Sequence, residues 1–377
     1  MNDTRTVLRA SRILTPEPLD DGWVIFQGRT VVDVGQGPHP AADEVVDLGQ
    51  HTITPGFVDI HAHGGGGAAY TDGVQAAHTV LATHREHGTT SAMASLVTDT
   101  IENLATQVRA LAPLVHDDEL LGIHLEGPWL SEHHRGAHDP ELLQDPLADD
   151  IARLLQVAEG TIRMVTLAVE REGGLAAVSQ LADAGVIVAP GHSHATYEEA
   201  RQAIEAGARV ATHLFNAERG IHHREPGLIP ALVEDDRVVV ELIADGVHVH
   251  PTIVRDVALL KPRRHVLVTD AMAAAGSEDG DYLLGPLAVE VRDGIARLAG
   301  GGAIAGSTLT LDRAIRFCVE QAGLDLVDVV RAATLTPADV VGRPDLGRIE
   351  PGARADLVVL DETLYVQRVL RAGQWIA

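Results

Sequence analysis

Six side chains far apart in the sequence share one placement: His61, His63, Glu126, His192, His213 and Asp270 each close or follow a short apolar run. Imidazole nitrogen and carboxylate oxygen are the donors that zinc-like divalent ions take. If the runs are parallel strands of a barrel, their C-terminal ends share one face, and the six groups meet around one point. Glu126, His192 and His213, with an open fourth position, describe a catalytic rather than a structural zinc site. The predicted chemistry is a metal-activated water, and hence hydrolysis.

Position matters more than motif here. With 20 His in 377 residues, about one His-x-His pair is expected by chance. The chain holds three: His61/His63, His192/His194 and His248/His250. On a strand, residues i and i+2 point to the same side, so His61 and His63 can reach one ion just after Pro55-Gly-Phe-Val-Asp-Ile60. His192 is closest to the end of its run, whereas His194 sits further into the loop. Glu126 precedes Gly-Pro, a setting suited to a ligand rather than to packing, and it is the natural bridge between two ions. Asp270, at the end of Val268-Thr-Asp, can take a proton from water and pass it to a leaving group. Arg224, in the loop His222-His-Arg-Glu-Pro-Gly227, suits an anion such as phosphate. His133, His134, Arg135 and His138 form a polar loop, a candidate lid.

The runs that must position these groups are Phe57–His61, Thr89–Leu96, Leu120–Leu125, Met164–Ala168, Val186–Ala189, Val210–Leu214, Val238–Ala244 and His265–Thr269. Most are apolar throughout, as strands buried on both faces are. Helix-like stretches lie between them, among them Val74–His87, Ile101–Val115, Gly174–Ala184 and Tyr197–Ala206. The alternation predicts an α/β fold, a (β/α)8 TIM-like barrel over 55–345, with a doubly wound sheet as the lesser option. Residues 1–54 and 346–377 read as short β-branched strands, too few at either end for a core of their own. Paired, they make one small β-sandwich module into which the barrel is inserted. Tyr282–Ala305 reads as Gly-rich hairpins after the eighth strand.

Bulk properties narrow the function. The 54 acidic and 29 basic side chains give a net charge of −25, which argues against nucleic acid as a partner. The single cysteine, Cys318, excludes an internal disulfide, and the helix-like Arg313–Gly323 around it suggests a buried apolar role. The single lysine, Lys261, follows a helix on the far side of the barrel. That excludes Schiff-base chemistry and a carbamylated bridging lysine. No segment has the ~20 apolar residues of a membrane span, and the first 16 residues lack a leader pattern. A cytoplasmic protein is expected.

With these strings in view, the chain resembles the N-acetylglucosamine-6-phosphate deacetylase family of the amidohydrolase superfamily. The strings are Pro55-Gly-Phe-Val-Asp59, Leu125-Glu-Gly-Pro-Trp129, Gly136-Ala-His138, Gly191-His-Ser193, Thr212-His-Leu-Phe-Asn-Ala217 and Arg224-Glu-Pro-Gly227. Ala244-Asp-Gly-Val-His-Val249, Val268-Thr-Asp-Ala271 and Gly306-Ser-Thr-Leu-Thr310 continue them to cover nearly the whole chain. The resemblance implies removal of acetate from the 2-acetamido group of the phosphorylated sugar. Glu126, His192 and His213 would hold the main metal, and Asp270 would act as acid and base. His138 would polarise the acetamide and His248 would contact the sugar. Asn216, Ala217 and Arg224 would hold the phosphate, Arg224 reaching in from the other subunit of a homodimer.

Three departures stand out. His61 and His63 replace the Gln and Asn of one-metal members, which implies capacity for one or two ions, zinc first, with iron, manganese or cobalt as alternatives. Glu218-Arg219-Gly220 stands where Met follows Asn-Ala, beside the phosphate segment. Val169 replaces the Pro of the usual Thr-Leu-Ala-Pro-Glu. The alternatives are a deacetylase of another acetamido sugar phosphate, such as the galactosamine isomer, an N-acyl amino acid hydrolase, or a non-catalytic barrel paralogue. The last predicts missing ligands.

Overall fold

A computed structural model of the chain describes residues 4–15 and 18–376. Met1–Asp3, Pro16, Glu17 and Ala377, all within the end segments assigned above, lie outside the described residues. The centre is a mixed α/β arrangement around a curled parallel sheet. Five parallel strands pair in chain order: Phe57–Asp59, Thr89–Val97, Gly122–Glu126, Ile162–Leu167 and Ile187–Pro190. Three more do the same: Val210–Ala211, Val239–Ile243 and His265–Val268. Single parallel bridges link the two sets, Val188 to Ala208 and Ala62 to Ala271. All of Thr89–Val97, Gly122–Glu126 and Val239–Ile243 is buried, as the apolar runs required.

The intervening helices follow from spacing and caps. Ile101–His116 buries Leu104, Val108, Leu111 and Leu114, one apolar stripe, and Thr100 caps it by accepting from Asn103 N at 3.2 Å. Tyr197–Ala206 begins with a reciprocal capping box between Thr196 and Glu199. Cys318 is buried in Leu311–Glu320, and burial pushes its thiol up to about 12. Lys261 terminates Pro251–Leu260 and donates from Nζ to the Asp235 carbonyl at 2.7 Å, away from the predicted ligands.

Both chain ends contribute to one eight-stranded sheet. Leu357–Leu360 runs antiparallel to Thr52–Pro55, and Arg12–Ile13 pairs parallel with Thr52–Ile53. Leu8, Val24 and Phe26 from one end pack with Leu357 and Leu370 from the other. The hairpins predicted for Tyr282–Ala305 are three antiparallel strands, Asp281–Leu284, Leu287–Arg292 and Ile295–Leu298.

Two strands end two or more residues before the sequence suggests, for the same reason. The first ends at Asp59, whose Oδ1 takes the His61 N–H at 3.2 Å and draws it out of the ladder. The sixth ends at Ala211, because His213 N donates at 3.1 Å to the Glu241 side chain and His213 turns left-handed at φ 26°.

Candidate active site

The six predicted ligands converge. Glu126 sits at the centre: its Oε1 is 3.0 Å from His213 Nε2, 3.2 Å from His192 Nε2 and 3.5 Å from His61 Nε2. Its Oε2 is 3.1 Å from His63 Nε2 and 3.4 Å from His138 Nε2. Asp270 Oδ1 lies 3.2 Å from His63 Nε2 and 3.6 Å from His61 Nε2. Two overlapping donor sets result, Glu126–His192–His213 and His61–His63–Glu126–Asp270, each with its donor atoms within 4.8 Å of one another and all residues buried.

The donor atoms fit a cation. His61 Nδ1 faces Glu241 Oε2 at 3.0 Å, His63 Nδ1 the Ser95 carbonyl at 3.1 Å, and His192 Nδ1 the His134 carbonyl at 2.9 Å. Each Nδ1 therefore carries the proton, and each Nε2 turns its lone pair inward. His192 and His213 Nε2 come within 3.1 Å, and His61 and His63 Nε2 within 3.3 Å. Lone pairs at that range repel unless a positive charge lies between them.

At the His61–His63 pair, protons supply that charge when no metal is bound. Burial pulls His61 down, but Glu241 and Glu126 outweigh it and hold the ring well above its ordinary value. Burial also opposes protonation of His63, and hydrogen bonds to Asp270 and Glu126 lift it to about 9. Burial would raise Glu126, yet the His61 charge beside it outweighs burial and keeps it well below the usual carboxylate range. For His138 burial wins, and its ring falls to about 4.

His192, His213 and Asp270 all adopt left-handed backbone, at φ 47°, 26° and 48°. Such strain in non-glycine residues clusters at functional sites. Each follows a strand end and is held by its neighbours: Ser131 N donates to the His192 carbonyl, and Asp270 N to the His61 carbonyl.

A cavity of about 360 Å³ opens above the cluster, lined in part by His63, Glu126, His138, His192, His213 and Asp270. Asn216, Ala217 and His248 also line it, whereas His61 lies beneath, fully buried. His248 donates through Nδ1 to Asp245 at 2.7 Å, and although burial opposes it, Asp245 raises its pKa. His133 and His134, from the polar loop, and Ala303, Ile304 and Leu284, from the hairpins and the segment after them, complete the rim. The remaining His-x-His partners do other work. His194 meets His134 at 2.8 Å, and His250 caps the helix Pro251–Leu260. Arg224 lies outside the cavity, exposed and beside His223. Glu218 does not line it either. It is buried, and its Oε2 accepts from Phe215 N at 2.9 Å.

Several buried groups beside the site escaped the sequence reading. Glu241 holds His61 and His213. Asp59 accepts from Thr269 Oγ1 at 2.6 Å, and burial pushes its carboxyl up to about 6. His124 bridges Ser95 Oγ at 2.9 Å and Thr166 Oγ1 at 2.8 Å beneath the His61 ring. The available signal was strand parity: His124 is two residues before Glu126 and Asp59 two before His61. Glu241 is a lone carboxylate within Val239-Val-Glu-Leu-Ile243.

The sequence profile of the amidohydrolase family matches residues 52–376. The chain belongs to the amidohydrolase family. Amidohydrolases are metal-dependent, in keeping with the donor sets above. Among its relatives, an Escherichia coli O157:H7 protein named N-acetylgalactosamine-6-phosphate deacetylase is 37% identical over 375 residues, covering 98% of each chain. The human N-acetylglucosamine-6-phosphate deacetylase is 34% identical, covering 98% of this amidohydrolase and 90% of the relative. A solved Mycobacterium smegmatis N-acetyl-D-glucosamine-6-phosphate deacetylase, an aspartate-to-alanine mutant in complex with N-acetyl-D-glucosamine-6-phosphate, is 49% identical. It covers 99% of this chain and 100% of its own, with a TM-score of 0.96.

Proposed function

We propose that this amidohydrolase removes the acetyl group of N-acetylglucosamine 6-phosphate, giving glucosamine 6-phosphate and acetate in amino-sugar catabolism. The observation that carries the reading is the Glu126 carboxylate ringed by His61, His63, His138, His192 and His213 within 3.5 Å, at the foot of a cavity the size of a small ligand. The named relatives and the substrate-bound Mycobacterium smegmatis structure support the choice of substrate.

In this reading Glu126, His192 and His213 hold one divalent ion, and His61, His63 and Asp270, with Glu126 shared, hold a second. Zinc is favoured, and iron, manganese or cobalt suit the same donors. Bound there, the cation supplies Lewis acidity toward the acetyl carbonyl and lowers the pKa of water. Asp270 accepts the proton of the attacking water and returns it to the amine nitrogen as the carbon–nitrogen bond breaks. His138, neutral at pH 7, points Nε2–H at the acetyl oxygen. That tautomer requires Thr98 Oγ1, 2.8 Å away, to donate to His138 Nδ1. His248, oriented by Asp245, meets the sugar. Asn216 Nδ2 donates to the His213 and Leu214 carbonyls, so it fixes the turn and presents Ala217 N–H to the phosphate. Arg224 completes the phosphate contact from the neighbouring subunit of a homodimer, which fits its position outside the cavity of its own chain.

The same reading treats the two parallel sheets as one closed (β/α)8 barrel over 55–345, supported by the bridges Val188–Ala208 and Ala62–Ala271. Residues 1–54 and 346–377 form the small module. Arg5–Ile13 pairs with three other strands of its sheet, which supports a sheet folded over as a sandwich. The phosphorylated substrate supports a cytoplasmic location.

A second reading, deacetylation of the galactosamine isomer, is favoured by the Escherichia coli relative. The test is kcat/KM for both phosphosugars and for unphosphorylated N-acetylglucosamine. The first reading requires the glucosamine isomer to lead. A lead for the galactosamine isomer selects the second, and indifference to phosphate contradicts both.

A further inference from the structure

Five arginines, Arg209, Arg237, Arg263, Arg264 and Arg331, line a second and larger cavity of about 820 Å³. The chain has only 29 basic side chains against 54 acidic ones, so this is a local reversal of the protein's field. The cavity lies at the opposite end of the parallel strands from the metal donors. Ile187, Val210 and Val239, which line it, open strands whose far ends lead toward His192, His213 and His248. Among the described residues, none lines both cavities.

Two of the five guanidiniums are engaged. Arg237 pairs with Asp235 and Glu205, and Arg209 Nη1 donates to the Ile204 and Ala208 carbonyls. Arg263, Arg264 and Arg331 make no side-chain hydrogen bond or ion pair among the described residues, and Arg331 Nε is buried without a partner. The acid on the rim, Asp339, is paired with Arg348. The other arginine cluster differs: Arg343 and Arg354 share Asp118 at 2.8 Å. Surplus guanidinium in a walled cleft draws anions, and its planar fork matches phosphate oxygens. Val210, Val239 and Leu335 give the same cavity an apolar wall, and its volume is that of a small-molecule site.

We propose that this cavity is a second ligand site, for an organic di- or polyphosphate, with Arg263, Arg264 and Arg331 on the phosphates and the ring portion against the apolar wall. Calorimetric titration of the metal-loaded enzyme with ADP, with adenosine as the uncharged control, tests it. ADP binds the wild-type protein and adenosine at least ten-fold more weakly. Arg264→Ala/Arg331→Ala weakens ADP at least ten-fold, Arg264→Lys/Arg331→Lys falls between, and the KM for the phosphosugar is unchanged in both. Chelation of the catalytic metal or ADP binding at the substrate site acts equally on all three proteins. Equal ADP affinity across them therefore overturns the proposal. The melting temperature of each unliganded variant reports folding, and the lysine pair serves if the alanine pair is unstable.

Discussion

Glu241 Oε2 lies 3.0 Å from His61 Nδ1 and 3.1 Å from the His213 backbone nitrogen. One carboxylate thus fixes the tautomer of His61 in one donor set and the left-handed turn of His213 in the other. It is fully buried and reaches neither the cavity nor the other donors. Replacing it leaves His61 N–H unpaired, which costs about 1–3 kcal/mol. Glu241→Ala is expected to weaken metal affinity by about 10–100-fold, measured by competition with a chelator. Unchanged affinity would remove Glu241 from the account.

Asp270 is assigned the proton transfers. Asp270→Asn keeps the shape and one oxygen donor but cannot accept a proton. The expected result is a fall in kcat of about 10²–10⁴, with the metal at the Glu126–His192–His213 set retained. Metal analysis beside steady-state kinetics separates this from loss of the ion. Near wild-type turnover in the variant contradicts the role.

Protons and metal compete for His63. Its pKa in the metal-free protein is about 9, so at pH 7.5 the ring must lose a proton to bind an ion. Calorimetry in buffers of different ionisation enthalpy should show proton release on loading. The raised pKa also fixes the sign of a stability effect. The stabilisation is fully present below the unfolded value near 6.5 and lost as pH rises through 9. Stripped protein should therefore melt at progressively lower temperature across that window, with a smaller change for loaded protein. Loading without proton release counts against this proton inventory.

Glu218 lies beside the proposed phosphate segment, yet burial pushes its carboxyl up to about 8 and outweighs the hydrogen bond from Phe215. Near pH 7 it is therefore mostly neutral and does not repel a phosphate. As pH rises through 8 it gains a negative charge next to Asn216 and Ala217. The KM for the phosphosugar should rise above pH 8 in the wild-type enzyme, and Glu218→Gln should flatten that rise. Parallel profiles for the two proteins would contradict the assignment.

The strands were legible because most are apolar runs long enough to be buried on both faces, and the candidate ligands because they interrupt such runs at their ends. Glu241 and His124 were not legible. They interrupt runs in the middle, where an acid or imidazole reads as an exception until its partner on another strand is known. Strand ends at Asp59 and Ala211 were misjudged because side-chain acceptors, Asp59 Oδ1 and Glu241 Oε2, take backbone N–H groups from the ladder. Glu218 is acidic by type, yet it is buried and accepts from Phe215 N in the turn Phe215–Ala217, which has left-handed residues at both ends. No local pattern announces that turn. The proposed role of Arg224 rests on a second subunit, which a single sequence does not specify.

The most direct test is acetate release from N-acetylglucosamine 6-phosphate by the protein as purified, after chelation, and after reloading with zinc. The account predicts turnover that is lost on chelation and restored by the metal, with the unphosphorylated sugar a far poorer substrate throughout. Undiminished turnover by protein shown by metal analysis to be stripped, or none by the loaded protein, would contradict it.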